Sequence, residues 1–150
     1  MLLPEYLLVD GYNIIFAWDD LKKQAAQSLD LARSTLISRL SSFQGCRGCE
    51  LIIVFDAYRV KEPEHIDKAG SISVVYTKEA ETADTYIERT AHQLAKEHRV
   101  TVATSDGLEQ VIIMGSGARR MSASDLEHAV LESERAVREY IDKLNTRKLK

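Results

Sequence analysis

The chain has 150 residues, 45% of them hydrophobic and 29% charged, with a net charge of −3 at pH 7 and a pI near 5.8. That length suits one domain with a real core, and the composition excludes a disordered chain. No apolar run approaches the ~20 residues of a membrane span, and the acidic balance is not the footprint of a strong duplex binder, although an acidic metal pocket can mask basic residues around it.

Residues 6–10 read as a buried strand, and Gly11, Tyr12 and Asn13 as the turn after it. From Ser28 to Phe43, apolar residues recur at Leu29, Ala32, Leu36, Ile37, Leu40 and Phe43, the spacing of a helix. Gly45 and Gly48 are expected to stop it. Cys46 and Cys49 follow. Two ligands cannot complete a structural zinc site, and the pair precedes a strand, whereas redox pairs gain reactivity at a helix N-terminus. Inert loop thiols are expected, ahead of a disulfide or redox role. Residues 50–56 form a second buried strand without polar alternation, as in a parallel sheet covered on both faces.

Residues 62–65 read as a loop and residues 72–77 as a third strand. Thr82 is a good N-cap for a helix to about His98, with Ile87, Ala91, Leu94 and Ala95 as its apolar stripe. Residues 99–104 form a fourth strand. Asp106 and Glu109 fit a capping pair opening a short helix that ends near Gly115. Residues 118–121 suit a short fifth strand. Ser124 with Glu127 is a capping box for a final helix over about 125–144. One side of that helix is apolar: Leu126, Val130, Leu131, Val137, Tyr140, Ile141 and Leu144. A basic tail occupies 145–150. No repeat or linker interrupts the chain, so residues 1–150 are expected to form one three-layer α/β/α domain, with right-handed connections. The start of the chain lacks the basic-then-apolar order of a secretory signal, which makes a cytoplasmic protein the expectation.

Four aspartates carry the functional signal. Asp10, Asp56 and Asp106 each follow an apolar strand, and Asp84 lies in the first turn of a helix. In a parallel sheet the carboxyl ends of the strands share one edge, where ligands bind. Each residue has an ordinary explanation as a turn or cap residue. Together they would have to share one edge by accident. Converging carboxylates repel when ionised, and a hard divalent cation such as Mg²⁺ or Mn²⁺ is the usual remedy. Asp10, Asp84 and Asp106 are the expected metal ligands. Asn13 would orient a water or a phosphate oxygen, and Asp56 would support the metal indirectly. Glu81, from the preceding loop, ranks next, and Glu88, one turn after Asp84, lower. Arg59, Lys61, Lys78, Arg119 and Arg120 flank this edge and suit a single-stranded phosphate backbone. Tyr12, Phe16, Trp18 and Tyr58 are candidates to stack bases, with Trp18 equally suited to the core. The chemistry is metal-assisted phosphodiester hydrolysis, which needs no Ser, Cys or His nucleophile. His65, His92, His98 and His128 show no metal-ligand spacing, and His92 and His98 read as surface residues.

In order and spacing, Val9-Asp-Gly-Tyr-Asn13, Val54-Phe-Asp-Ala57, the stretch Val75 to Asp84, and Thr104-Ser-Asp106 resemble the motifs of the YacP-like NYN domain, a branch of the PIN-like nucleases. The resemblance spans roughly residues 5–144. It implies a central parallel sheet of order 3-2-1-4-5 and endoribonuclease activity with Mg²⁺ or Mn²⁺. Carried over by motif, Asp10, Asn13, Asp84 and Asp106 hold catalytic positions, with Glu81 and Asp56 beside them. A branch of the family that this chain is similar to cleaves mRNA on the ribosome, in the decoding site. RNA and the ribosome are thus the implied partners, with no membrane and a monomer favoured. Members of that family extend past the final helix with a further tail, whereas this sequence stops at Lys150. The competing reading is a non-catalytic RNA- or ribosome-binding module on the same scaffold. A receiver domain or a haloacid-dehalogenase-like phosphatase fits worse, because residue 12 is Tyr and Asp10 stands alone at its strand end.

Overall fold

The structure, a computed structural model, describes residues 5–56, 65–69, 72–78 and 80–148, with backbone alone for residues 65–69 and 108. Its centre is a six-stranded sheet built from β1 (Glu5–Asp10), β2 (Glu50–Phe55), β3 (His65–Ala69), β4 (Ile72–Tyr76), β5 (Arg99–Ala103) and β6 (Arg119–Met121) in the order β3-β4-β2-β1-β5-β6. The parallel strands β4-β2-β1-β5-β6 stand in the expected 3-2-1-4-5 arrangement. The addition is β3, an antiparallel edge strand paired with β4. The chain builds outward from β1 to β2 and β4, then crosses back to β5 and β6. The reversal falls between β1 and β5, and such switch points open a crevice at the carboxyl edge.

Helices cover both faces. α1 (Gly11–Ala17), α2 (Asp19–Gln27), α3 (Leu29–Arg47) and α6 (Ala123–Lys148) lie on one side; α4 (Ala83–Leu94) and α5 (Gly107–Gly115) lie on the other. Strand alternation sorts the side chains between them. Leu7, Val9, Leu51 and Ile53 meet Leu36, Leu40, Leu126 and Val130 on the first face. Leu8, Val54, Val100 and Val102 meet Ile87, Ala91 and Ile113 on the second. Each such aliphatic side chain taken fully out of water contributes roughly 1.5–3 kcal/mol. The same alternation assigns Asp10, two residues after Leu8, to the α4–α5 side, with Asp56 and Thr104 in the equivalent places on β2 and β5.

Several local expectations are corrected. Residues 11–13 open α1 rather than a turn. Gly11 is required by close approach, since a Cβ there would overlap the Phe55 ring. α2, which the sequence reading did not include, buries Leu21. α3 runs through Gly45 and ends at Gly48, whose φ of 76° closes the helix in the left-handed region. Cys46 therefore sits in the last turn of α3, exposed, and Cys49 is buried beyond it; both are free thiols. α4 starts as expected, with Thr82 Oγ1 accepting from Thr85 N, but stops at Leu94. α6 starts at Ala123 with Ser122, not Ser124, as the cap that accepts from Asp125 N, and it runs on to Lys148. Among the described residues, no helix is long and apolar enough to cross a membrane.

Candidate functional site

Two of the expected carboxylates and one unexpected one meet at the carboxyl edge. Asp10 ends β1, and its side chain makes no capping bond to α1, so the ordinary explanation for it fails. Asp84 enters from the first turn of α4. The third member is Glu109, from the first turn of α5. Carboxylate oxygens of Asp10, Asp84 and Glu109 all lie within 4.8 Å of one another. Asp10 is 6% and Glu109 4% exposed, while Asp84 opens to solvent. A cleft of about 300 Å³ leads to them, lined by Asp10, Tyr12, Asn13, Phe16, Asp84 and Asp106, among others.

Burial sets the electrostatics of this group. Desolvation is the largest influence on Asp10 and, with Asp84 and Asp56 repelling its charge, it raises the carboxyl from 3.8 to about 7, although a hydrogen bond with Glu109 acts the other way. Glu109 is pushed far above the ordinary carboxylate range, first by desolvation and then by the Asp10 charge. Without a cation the two carboxyls therefore share a proton near neutral pH. Glu109 is anchored through Oε2, which accepts from Thr104 Oγ1 at 2.9 Å. Its other oxygen, Oε1, is buried as well. Three carboxylates with oxygens within 4.8 Å of one another, two of them buried, form an all-oxygen donor set that fits a hard divalent cation, so these residues suit the metal that the sequence implied.

Around this trio the other candidates divide. Asp56 Oδ1 accepts the backbone N–H of Ala83 at 2.5 Å and so holds the start of α4, on which Asp84 rides. Asn13 Oδ1 accepts from both the backbone N–H and the hydroxyl of Ser105, the latter at 2.8 Å, tying α1 to the β5–α5 loop. Asp106 lines the cleft but stands outside the tight trio. It does what a cap does, accepting from Glu109 N at 3.4 Å. Glu81 turns to Arg89, 2.7 Å away, and Glu88 is exposed; neither belongs to the trio.

Among the aromatic candidates, Trp18 is core: it is 1% exposed and its Nε1 donates to Ala123 O at 2.8 Å. Tyr12 lines the cleft but is buried, edge-on to Phe55, with its hydroxyl accepting from Arg33. It offers no open face for a base. Phe16 also lines the cleft and is 41% exposed. Arg119 and Arg120 are exposed on the edge strand β6, with Arg120 reaching Gln110 at 3.5 Å, and Lys78 is exposed after β4. Tyr58, Arg59 and Lys61 lie outside the described residues. His92 is exposed as expected, whereas His98 is half-buried against Tyr6.

Glu109 escaped the sequence because it looked like the acidic partner in a capping pair. One signal pointed inward: Glu109 and Ile113 are four residues apart, so the face of α5 that buries Ile113 also buries Glu109.

Comparison with known proteins gives a consistent picture. The YacP-like NYN domain matches residues 7–150. Over 145 residues the chain is 41% identical to YacP of Bacillus subtilis (strain 168), covering 96% of this chain and 85% of that protein. The crystal structure of Rae1 (YacP) from Bacillus subtilis is similar with a TM-score of 0.83 and 42% identity, over 95% of this chain and 83% of that one. A tryptophan-to-leucine mutant of the same protein gives a TM-score of 0.83 at 39% identity, over 95% and 84% of the two chains.

Proposed function

Since the chain belongs to the YacP-like NYN domain family, we propose that it is a metal-dependent endoribonuclease that hydrolyses single-stranded RNA, with mRNA in the decoding site of the ribosome as its substrate. The observation that carries the nuclease reading is the trio of Asp10, Asp84 and Glu109, two of them buried, with carboxylate oxygens within 4.8 Å of one another. The ribosome enters through the resemblance to the ribosome-dependent branch. A net charge of −3 suits it, because RNA presented by another particle needs little bulk affinity from the nuclease.

Asp10, Asp84 and Glu109 would hold Mg²⁺ or Mn²⁺. When bound, the ion supplies an acidified water and neutralises charge developing on the phosphate. The chain's own residues do the rest. To hold the ion, Asp10 and Glu109 would both have to be ionised. Asp106, on the open side of the cleft, is placed to take a proton from the attacking water or to orient it. Asn13 fixes the loop that carries Ser105 and Asp106. Lys78, Arg119 and Arg120 would hold the flanking phosphates.

The test is cleavage of an end-labelled RNA by the pure protein with Mn²⁺ or Mg²⁺, with and without translating ribosomes, alongside Asp10→Asn and Glu109→Gln. Metal-dependent cutting that both substitutions abolish is the expected result, and a ribosome requirement would assign the substrate. RNA or ribosome binding without cutting would overturn the enzyme in favour of a binding module.

A further inference from the structure

α3 turns two of its cations into the protein, and only one of them is accounted for by charge. Arg39 joins Asp20 of α2 to Glu134 of α6, so carboxylates on two neighbouring helices explain why it is withdrawn from water. Arg33 is withdrawn as far, with 12% of its side chain exposed, yet its carboxylate partner is Asp30, one turn earlier on the same helix. Asp30 is itself 86% exposed. A pair at this spacing forms as readily on the outer surface of a helix, whereas taking a guanidinium out of water is costly. The ion pair therefore does not explain the burial. Tyr12 does. Its phenol oxygen accepts from Arg33 Nη1 at 3.0 Å. Tyr12 is 5% exposed, and a phenol buried to that degree needs a hydrogen-bond partner. Apolar side chains at both positions would fill similar space without the desolvation cost. A satisfied polar pair inside a core selects one packing over others, so its contribution lies in orientation.

What the pair orients is the start of α1. Tyr12 stands between Asp10, a member of the carboxylate trio, and Asn13, which accepts from Ser105. The Tyr12 ring meets Phe55 edge-on at 4.9 Å, and Phe55 is the ring that a Cβ at Gly11 would strike. A hydrogen bond is more directional than ring packing, since it weakens steeply off its axis. α1 has seven residues, and its N-cap, Asp10, makes no side-chain capping bond. So short a helix is not held in place by its own hydrogen bonds. It is tied to α3 through Tyr12 and to the β5–α5 loop through Asn13. Tyr12 lines the cleft and Arg33 does not, so Arg33 acts at one remove from the reacting atoms. We infer that Arg33 is a positioning residue: through Tyr12 it sets the rotation of α1, and with it the places of Asp10 and Asn13 in the cleft. The effect on cleavage rests on the nuclease reading; the tie between α3 and α1 does not.

The experiment uses the full chain with Arg33→Met, which keeps an apolar stem and removes the donor, with Tyr12→Phe, which removes only the acceptor, and with both together. Two quantities are read: amide hydrogen exchange over α1, and steady-state cleavage of an end-labelled single-stranded RNA with Mn²⁺, with ribosomes present if the wild type requires them. Either single change should speed exchange of α1 several-fold. Either should also lower kcat about tenfold with KM unchanged, the scale of a small misplacement in a reacting site. The combined variant should be no worse than the single ones, because all three remove the same bond. Should Arg33→Met fail to fold, Tyr12→Phe alone decides, since it deletes a single oxygen. Unchanged exchange of α1 would overturn the tie. Faster exchange at an unchanged kcat would overturn the positioning role and leave Arg33 purely structural. A raised KM at constant kcat would place Arg33 on the RNA and overturn the role through Tyr12, as would additive losses in the combined variant. A wild type that cuts no RNA would remove the nuclease reading and the catalytic half of this inference with it, while exchange would still decide whether Arg33 holds α1.

Discussion

The carboxylate cleft and the overhanging end of α6, where every residue from 135 to 148 is exposed, depart from the ordinary sorting of side chains in opposite directions. In the cleft, charges are buried: Asp10 and Glu109 are 6% and 4% exposed. On the overhang, apolar groups are in water: Tyr140 and Ile141 are 64% and 48% exposed. Between them the protein follows the rule, with aliphatic strands sealed by helices on both faces. Burying a carboxylate costs several kcal/mol, and leaving a large apolar side chain exposed forgoes roughly 1.5–3 kcal/mol. The departure in the cleft makes sense where a cation offsets it. The two costs answer to different variables. The cleft should respond to charge, pH and metal, and the overhang should not.

The largest expected effect separates activity from stability in the cleft. Asp10→Asn should lower RNA cleavage by ~10³-fold or more, the scale of removing charge stabilisation from a reacting centre. In the metal-free protein at pH 8 it should raise Tm, because it removes a buried carboxylate that its neighbours repel. Parallel cleavage assays and calorimetry check both parts. A variant that loses activity and Tm together would make Asp10 a structural residue, and the contrast with the overhang would collapse.

A second expectation concerns pH. The folded-state value of Asp10 is raised from 3.8 to about 7 by burial and by neighbouring carboxylates. The folded protein therefore binds more protons than the unfolded chain between those values, and stability falls as pH rises through that window. In EDTA the loss from pH 5 to pH 8 should be on the order of a few kcal/mol. Saturating Mg²⁺ or Mn²⁺ should remove most of it, and Asp10→Asn should flatten it. Flat Tm across that range in EDTA would contradict the burial argument. The α6 overhang carries no comparable buried charge, so Tyr140→Glu with Ile141→Glu should leave this profile unchanged.

Gly11→Ala acts by volume at the same place. Its new methyl group would press into the Phe55 ring. Overpacking of this kind costs typically about 1–3 kcal/mol, which is several degrees of Tm in a domain of this size. Metal should not restore the loss, because the strain lies behind the carboxylates rather than between them. A Tm within a degree of wild type would mean that Phe55 has room to move.

What the sequence revealed and what it hid follow the same physics. β1, β2, β4, β5 and β6 were legible because most are short apolar runs, as strands buried on both faces must be. β3, His65–Ala69, was not, because an antiparallel edge strand needs no such run. α1 looked like a turn because its glycine was read for backbone freedom, when the requirement is space beside Phe55. Asp10 and Asp84 were legible as strand-end and helix-start carboxylates. Glu109 was not, since its position in the first turn of α5 has a complete local explanation. Only the fold shows that the side chain turns inward to Thr104 and Asp10. The apolar side of α6 was legible too, but the sequence could not show that the sheet ends before the helix does.

The smallest expected effect belongs to Asp56, and it distinguishes a ligand from a support. Its carboxylate accepts the first backbone N–H of α4, and its charge adds to the repulsion on Asp10. Asp56→Ala removes the acceptor, so it should cost ~1 kcal/mol, as lost helix caps do, and lower cleavage about tenfold by loosening Asp84, since small misplacements are expensive in a reacting site. Asp56→Asn keeps an oxygen for Ala83 N and removes only the charge. Tm should then stay close to wild type, while the Mn²⁺ concentration for half-maximal cleavage should rise a few-fold, in line with losing one nearby charge. Metal titrations of cleavage and thermal melts on both variants separate the two effects. If Asp56→Asn proved as damaging as Asp10→Asn, Asp56 would have to touch the ion itself, and the cation would sit closer to β2 than the trio of Asp10, Asp84 and Glu109 puts it.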